Sequence, residues 1–296
     1  MATINSLRHP SWNGQPALLP EDRGIIFFDG IFTDPQLNHP ECLAFDAAGN
    51  IWCGGERGEI FRIAADGSDI ALMASTDGFT LGLAFDADGK LYSCDLKHGA
   101  VFRYDPSNGT LAKFADGDGR GNRIRIPNVP VVDARNGWLY VSDSYDPKQP
   151  GPGIWRFDLA TGEGGLWYEE PLHFANGLAL SANGDALYVA ETFGRTISRI
   201  PIKPDGSPGA KEAVCQVDAL PDGLTLDERG VLYISCYEPS LIYRYTDAQG
   251  LQLLYYDPEA HTLCHPTNCA VRGNDLYAAN LGRWHITRIE GAAAVE

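Results

Sequence analysis

Five oxygen-bearing side chains recur at one position of a repeated phrase. The position lies five residues before the Asp of a turn, or before its replacement, and it holds Glu41, Leu81, Asn128, Asn176, Asp222 and Asn268. Carboxylates and carboxamides without a Cys or His among them are hard donors, suited to calcium, magnesium or manganese. Gathered alone they would be costly, because like charges in a poorly solvated space repel or take up protons. One divalent cation balances the two negative charges. The competing reading is a polar channel filled with hydrogen-bonded water.

The elements that must position these residues are read from the repeat. Its members are CLAFDAAGNIWCGG (42–55), GLAFDADGKLYSCD (82–95), VPVVDARNGWLYVSD (129–143), GLALSANGDALYVAE (177–191), GLTLDERGVLYISC (223–236) and CAVRGNDLYAAN (269–280). Each is a short apolar run, a DxxG-type turn and a second run rich in aromatic or β-branched residues, which is a β-hairpin signature. Asp caps the turn through its own side chain and Gly supplies the positive φ that closes it. A third run follows each hairpin (EIFRIA, AVFRYDP, GIWRFDLA, TISRIPI, LIYRYTD, HITRIE). In it an Arg alternates with apolar residues, as in a strand with one wet face. Six such units at blade-length spacing predict an all-β fold, a six-bladed β-propeller of four-stranded blades. The leading run GIIFF (24–28) is a spare strand that would complete the last blade and close the ring. A pair of β-sandwiches or an open β-solenoid accounts less well for six repeats plus one leading strand. Residues 1–22 are then an N-terminal extension and 23–296 one propeller domain. Equivalent positions on innermost strands are related by rotation about the central axis, so the six positions converge there.

Composition limits the partners. Lys+Arg 23 against Asp+Glu 39 gives a net charge of -16, which repels phosphate backbones and anionic headgroups and argues against nucleic acid or a membrane surface. No run approaches eighteen apolar residues, and the N-terminus lacks a secretory apolar core. Seven cysteines without CxxC spacing, mostly inside strand-like runs, behave as buried hydrophobes and fit a cytoplasmic location. The stretch ADGDGRGN (115–122) lacks the flanking helices and terminal Glu of a calcium loop and reads as a surface turn.

The phrases HPECLAFDAAGNIW, PNVPVVD, FANGLALSANGDALYVAET, LPDGLTLDERGVLYISCY and PTNCAVRGNDLYAAN cover the chain from about residue 38 to 290. In them it resembles the senescence marker protein, gluconolactonase and luciferin-regenerating-enzyme family (regucalcin-like), with features of strictosidine-synthase-like propellers. The resemblance implies one catalytic divalent metal held by Glu41, Asn128, Asn176 and Asp222, with calcium first and magnesium, manganese or zinc as alternatives. It implies hydrolysis of sugar lactones, a small-molecule activity, with phosphotriester or other ester hydrolysis on the same site as the alternative. A binding propeller with a structural ion is the reading from another class. Three departures stand out. Val129-Pro130 replaces the Asp-Gly usual after the first Asn, Ile126 stands where an Arg is common, and Asn268 stands where a smaller hydroxyl or thiol is usual.

In that reading the metal polarises a lactone carbonyl, Asp222 is the general base and Glu41 an anchor, although the sequence treats the two carboxylates alike. His39, Arg125, His173 and His265 lie just upstream of axial positions, the last three each three residues before an Asn. With Asn268 they are the candidate substrate-binding residues. Tyr145, Trp284 and His285 are either pocket walls or interblade packing. Glu191 and Asp143 end the second strands and are expected at the outer end, away from the metal.

Overall fold

Each repeated phrase folds into the two inner strands of a four-stranded antiparallel sheet, and six such sheets make the molecule. The structure is a computed structural model and describes residues 16–296. The first five blades each take four consecutive strands, beginning at Leu43–Phe45, Thr80–Phe85, Pro127–Asp133, Ala175–Leu180 and Pro221–Leu226. The sixth takes Pro266–Arg272, Asp275–Asn280 and His285–Ile289, and its outermost strand is the N-terminal Gly24–Asp29. That strand runs antiparallel to His285–Ile289, with Gly24 opposite Ile289 and Asp29 opposite His285, so the chain's two ends close the ring as expected. Closure completes the sixth four-stranded sheet, so every blade keeps only short inner and outer edges.

The hairpin turns are built as the sequence implies. Asp46 accepts the N–H groups of Ala48 and Asn50, both at 2.9 Å, while Gly49 sits at φ 82°. Asp227 does the same for Arg229 and Val231 ahead of Gly230 at φ 81°. In the fourth blade Ser181 replaces the Asp, its Oγ accepting from Asp185 and Ala186. The aromatic residue of the second strand reaches back to the turn carboxylate: Tyr92 to Asp86, Tyr233 to Asp227, and Trp52 to Asp46.

The Arg of the third strand lies on a face that is half covered, and fully covered only at Arg244. It pairs across the sheet with the aromatic of the second strand in all six blades: Trp52 with Arg62, Tyr92 with Arg103, Tyr140 with Arg156, Tyr188 with Arg199, Tyr233 with Arg244 and Tyr277 with Arg288. Arg156 lies 4.4 Å over the Trp138 ring, and Arg244, only 3% exposed, donates to the Val295 carbonyl. Neighbouring blades cover much of each apolar stem, but only Arg244 is fully buried; Arg62, Arg103, Arg156, Arg199 and Arg288 stay half-buried.

Residues 1–15 of the expected N-terminal extension lie outside the described residues. The remainder is tied down: Leu18 and Leu19 donate to the carbonyls of Leu253 and Leu254 on the fifth blade, and Tyr255 Oη donates to the Glu21 carbonyl. All seven cysteines are free. Among the described residues no helix is long and apolar enough to cross a membrane.

Candidate functional site

Five of the six innermost strands carry a β-bulge where the axial residue sits. In the third blade Pro127 faces Asp143 and Pro130 faces Val141, so Asn128 and Val129 oppose the single Ser142. The same two-for-one step holds Leu81 and Gly82, Asn176 and Gly177, and Asp222 and Gly223. A bulge breaks strict alternation and re-aims a side chain, here at the start of five of the six innermost strands; Glu41 precedes the first blade's unbulged strand. Glycine follows the axial residue because neighbouring innermost strands touch there. A Cβ on Gly177 would lie 2.3 Å from the Asp222 carbonyl oxygen, and one on Gly223 2.4 Å from that of Thr267. Val129 takes that place in the third blade and is buried in the cluster containing Tyr140, Ala175 and Leu178, which explains how the ring tolerates it.

Strand pairing shifts the sixth blade by one residue. Pro266 faces Asn280 and Cys269 faces Ala278, the register of Pro221 and Leu224 in the fifth blade. Thr267, not Asn268, is therefore the axial residue, and Asn268 takes the glycine place. The sixth turn is one residue shorter, so counting back five from Gly273 stops one residue short of the axial place. Thr267 Oγ1 donates to the Glu41 carbonyl, which seats it beside the first blade's axial carboxylate.

Glu41, Asn128, Asn176 and Asp222 are all buried, between 3% and 8% exposed. Burial pushes the Glu41 carboxyl well above the usual range, and the Asp222 charge pushes it further. Burial raises Asp222 as well, partly offset by a hydrogen bond from Asn176. These effects place Glu41, Asp222 and Asn176 within electrostatic reach of one another. Asn128 Nδ2 donates to Ser144 Oγ at 3.1 Å and Asn176 Nδ2 to Thr192 Oγ1 at 3.3 Å. Their Oδ1 atoms are buried without a hydrogen-bond partner. Two partnerless amide oxygens and two carboxylates that burial drives toward protonation are the donor set a hard divalent cation would satisfy. Among the described residues no three of His, Cys, Asp and Glu are grouped to share a metal, so any cation here depends on the amides.

The buried acids at the ends of the second strands sit at this same end of the blades, since Asp143 pairs with Pro127 and Glu191 with Ala175. The expectation that they lie away from the site is corrected by antiparallel pairing, which sets the end of one strand beside the start of its partner. They hold the loops entering the innermost strands. Asp143 accepts the N–H groups of Arg125, Ile126 and Tyr145, Glu191 accepts that of His173, and Asn280 Oδ1 accepts that of Cys264. In the second blade Asp95 accepts from Phe79 N–H and Thr76 Oγ1.

Those loops present paired rings. The Arg125 guanidinium lies 4.2 Å over Tyr145, His39 packs at 4.6 Å on Trp284, and His265 stacks at 4.5 Å on Tyr237. Phe174 and Phe193, at 4.8 Å, form a fourth pair. Tyr145, His39, His265 and Phe174 each adopt a left-handed φ between 44° and 65°. His39, Phe174 and His265 each precede the axial residue by two, so His265 belongs with these and not with Arg125 and His173. His39 Nδ1–H donates to the Leu281 carbonyl at 2.8 Å and His265 Nδ1–H to that of Tyr237 at 3.0 Å, which fixes both ring orientations. His173 is exposed. His285 is buried, donates from Nε2 to the Thr262 carbonyl and is packing, not pocket wall. Tyr237 carries no motif in the sequence, yet the charges of Asp222 and Glu41 help burial raise its phenol, which places it near the axis. In the 115–122 loop Asp116 pairs with Lys113 and Arg123, and Asp118 caps its own turn.

Fold and site define a six-bladed propeller with an oxygen-lined axial centre. Residues 107–279 match the family described as SMP-30/Gluconolactonase/LRE-like region, and the chain belongs to that family. The protein STRICTOSIDINE SYNTHASE-LIKE 1 of Arabidopsis thaliana is 26% identical over 173 residues, 54% of this chain and 43% of that protein. The chain spans about half the length of the curated relatives it matches. Two solved structures share the fold. A gluconolactonase from Xanthomonas campestris is 21% identical with TM-score 0.73, over 90% of this chain and 88% of that one. A luciferin-regenerating enzyme is 15% identical with TM-score 0.69, over 86% and 92%.

Proposed function

We propose that this protein is a metal-dependent hydrolase that opens the ring of a lactone. Membership of a family named for gluconolactonase supports the class of reaction. The observation that carries the metal dependence is the pair of buried, partnerless Oδ1 atoms on Asn128 and Asn176, in a ring shared with Glu41 and Asp222. Those four residues would hold one divalent cation, calcium first by the chemistry of the donors. When bound, such an ion supplies Lewis-acid polarisation of the substrate carbonyl.

The chain's own residues do the rest. Asp222 accepts the proton of the attacking water and returns it to the ring oxygen as the carbon–oxygen bond breaks, leaving a hydroxy acid. Glu41, with Thr267 hydrogen-bonded against it, is the anchor. The ring pairs His39–Trp284, Tyr237–His265 and Arg125–Tyr145 offer flat faces to a small cyclic substrate. The free thiols fit a reducing, cytoplasmic setting.

The test is turnover on a panel of lactones, phosphotriesters and simple esters. Metal-stripped protein is re-metallated in parallel with calcium, manganese, magnesium and zinc, with Asp222→Ala as control. Cation-dependent ring opening, lost by about 100-fold or more in the control, is the expected result. Preference for phosphotriesters or esters replaces the substrate class. Tight cation binding with no turnover on any of the panel would make this a binding propeller with a structural ion.

A further inference from the structure

Resting on the metal-site reading above, we infer that Ser144 and Thr192 are positioning residues that set which end of the Asn128 and Asn176 amides faces the axis. An amide is asymmetric: only its oxygen can ligate a cation, and a half-turn would present an NH2 group instead. Proton accounting decides the orientation. Ser144 Oγ–H is committed to the Ala175 carbonyl at 2.8 Å, so the same oxygen can only accept, and Asn128 must give it the NH2 end. Thr192 Oγ1–H is committed likewise to the Pro221 carbonyl at 2.8 Å, so it accepts one N–H of Asn176, while the other N–H is the one that reaches Asp222. Both hydroxyls are buried, 1% and 5% exposed, so water does not compete freely for the bond.

The placement of the hydroxyls follows the need for them. Strand pairing equates Leu96, Ser144, Thr192, Tyr237 and Leu281, each one residue past the partner of the pre-axial residue. The corresponding axial residues are Leu81, Asn128, Asn176, Asp222 and Thr267. A small hydroxyl occurs at this place in the two blades whose axial residue is an amide. Asp222 offers an acceptor whichever way its carboxylate turns and needs no such partner. The accepting carbonyls belong to Ala175 and Pro221, the residues just before Asn176 and Asp222. Ser144 and Thr192 thereby link three axial residues of successive blades into one hydrogen-bonded arc.

Calcium titration by calorimetry on the full chain tests this. Ser144→Ala and Thr192→Val each weaken calcium binding by about 10–100-fold, the usual effect of losing a partner that orients a ligand. Ser144→Thr and Thr192→Ser, which keep the hydroxyl, bind like the parent. In the cation-free protein the side-chain NH2 protons of Asn176 exchange faster in Thr192→Val, read by NMR, while those of Asn128 do not. Thr192→Val is isosteric and keeps the test available if Ser144→Ala does not fold. Parent-level calcium affinity in the folded Ala and Val variants overturns the inference and leaves the metal site standing. Equal losses in the hydroxyl-keeping variants overturn it too, since that marks a packing role. A parent that binds none of calcium, manganese, magnesium and zinc overturns both readings together.

Discussion

Glu41 and Glu191 are the same side chain, both buried at the same end of the blades, and they have opposite electrostatics. Burial pushes each toward protonation. At Glu191 that push is outweighed by Ser198 Oγ, the His173 N–H and Lys211 Nζ at 2.9 Å, which hold the carboxyl below its usual range. At Glu41 Thr267 spends its proton on the backbone carbonyl, the side chain faces the charge of Asp222, and burial with that charge holds the carboxyl well above that range. Burial therefore does not decide whether a carboxylate is structural; the supply of donors does. Where the chain provides its own donors the acid fixes a loop, and where it withholds them the buried carboxyl is left short of partners.

The largest expected effect separates the two by pH. For Glu41 and Asp222 the folded pKa is raised, so their contribution to stability is present below the unfolded value, about 4, and is lost as pH rises through the folded value. Cation-free protein should thus lose on the order of 5 °C in Tm on going from mildly acidic to slightly alkaline buffer. Saturating calcium, or the Glu41→Gln/Asp222→Asn pair, should flatten that slope. Calorimetric melts that show the same slope with and without the two carboxylates would break the comparison.

An effect of comparable size is expected at Glu191. Lys211→Met removes one donor from a buried charge and should cost about 1–3 kcal/mol in urea unfolding at neutral pH. Because the folded pKa of Glu191 is depressed, its contribution is present above the unfolded value and is lost as pH falls through the folded one. The gap between parent and variant should therefore shrink in acid. A gap that widens in acid would show that Lys211 does not act through the Glu191 charge.

The smallest concerns the mouth. Trp284→Ala removes the ring beneath His39 and should raise KM by about 2–10-fold, the worth of one aromatic contact, with kcat within about twofold. A fall in kcat with unchanged KM would instead place the His39–Trp284 pair in the chemistry.

Much of the fold was legible because it is local. The DxxG turns at Asp46, Asp86 and Asp227 read directly as hairpins, since Asp and Gly act within four residues of themselves. The run 24–28 read as a closing strand because six repeats left it unpaired. Misreadings arose where a residue's place depends on a partner strand. Asn268 falls in the counted position, but the short turn at Gly273 moves the register and puts Thr267 at the axis. Arg244 alternates as though solvated, yet its surroundings bury it, while its five counterparts keep part of their wet face. Asp143 and Glu191 end a strand in sequence and stand beside the start of its partner in space.

The sequence by itself determined the six-fold repeat, its turns and the oxygen-bearing residues Glu41, Asn128, Asn176 and Asp222, because turn propensity and period-two patterning act over a few residues. Only the tertiary structure decided which way the Asn128 and Asn176 amides face, which carboxylates lack donors, and that Thr267 completes the ring. Those properties depend on atoms of other strands and neighbouring blades, such as the Ala175 and Pro221 carbonyls, whose approach no local pattern encodes.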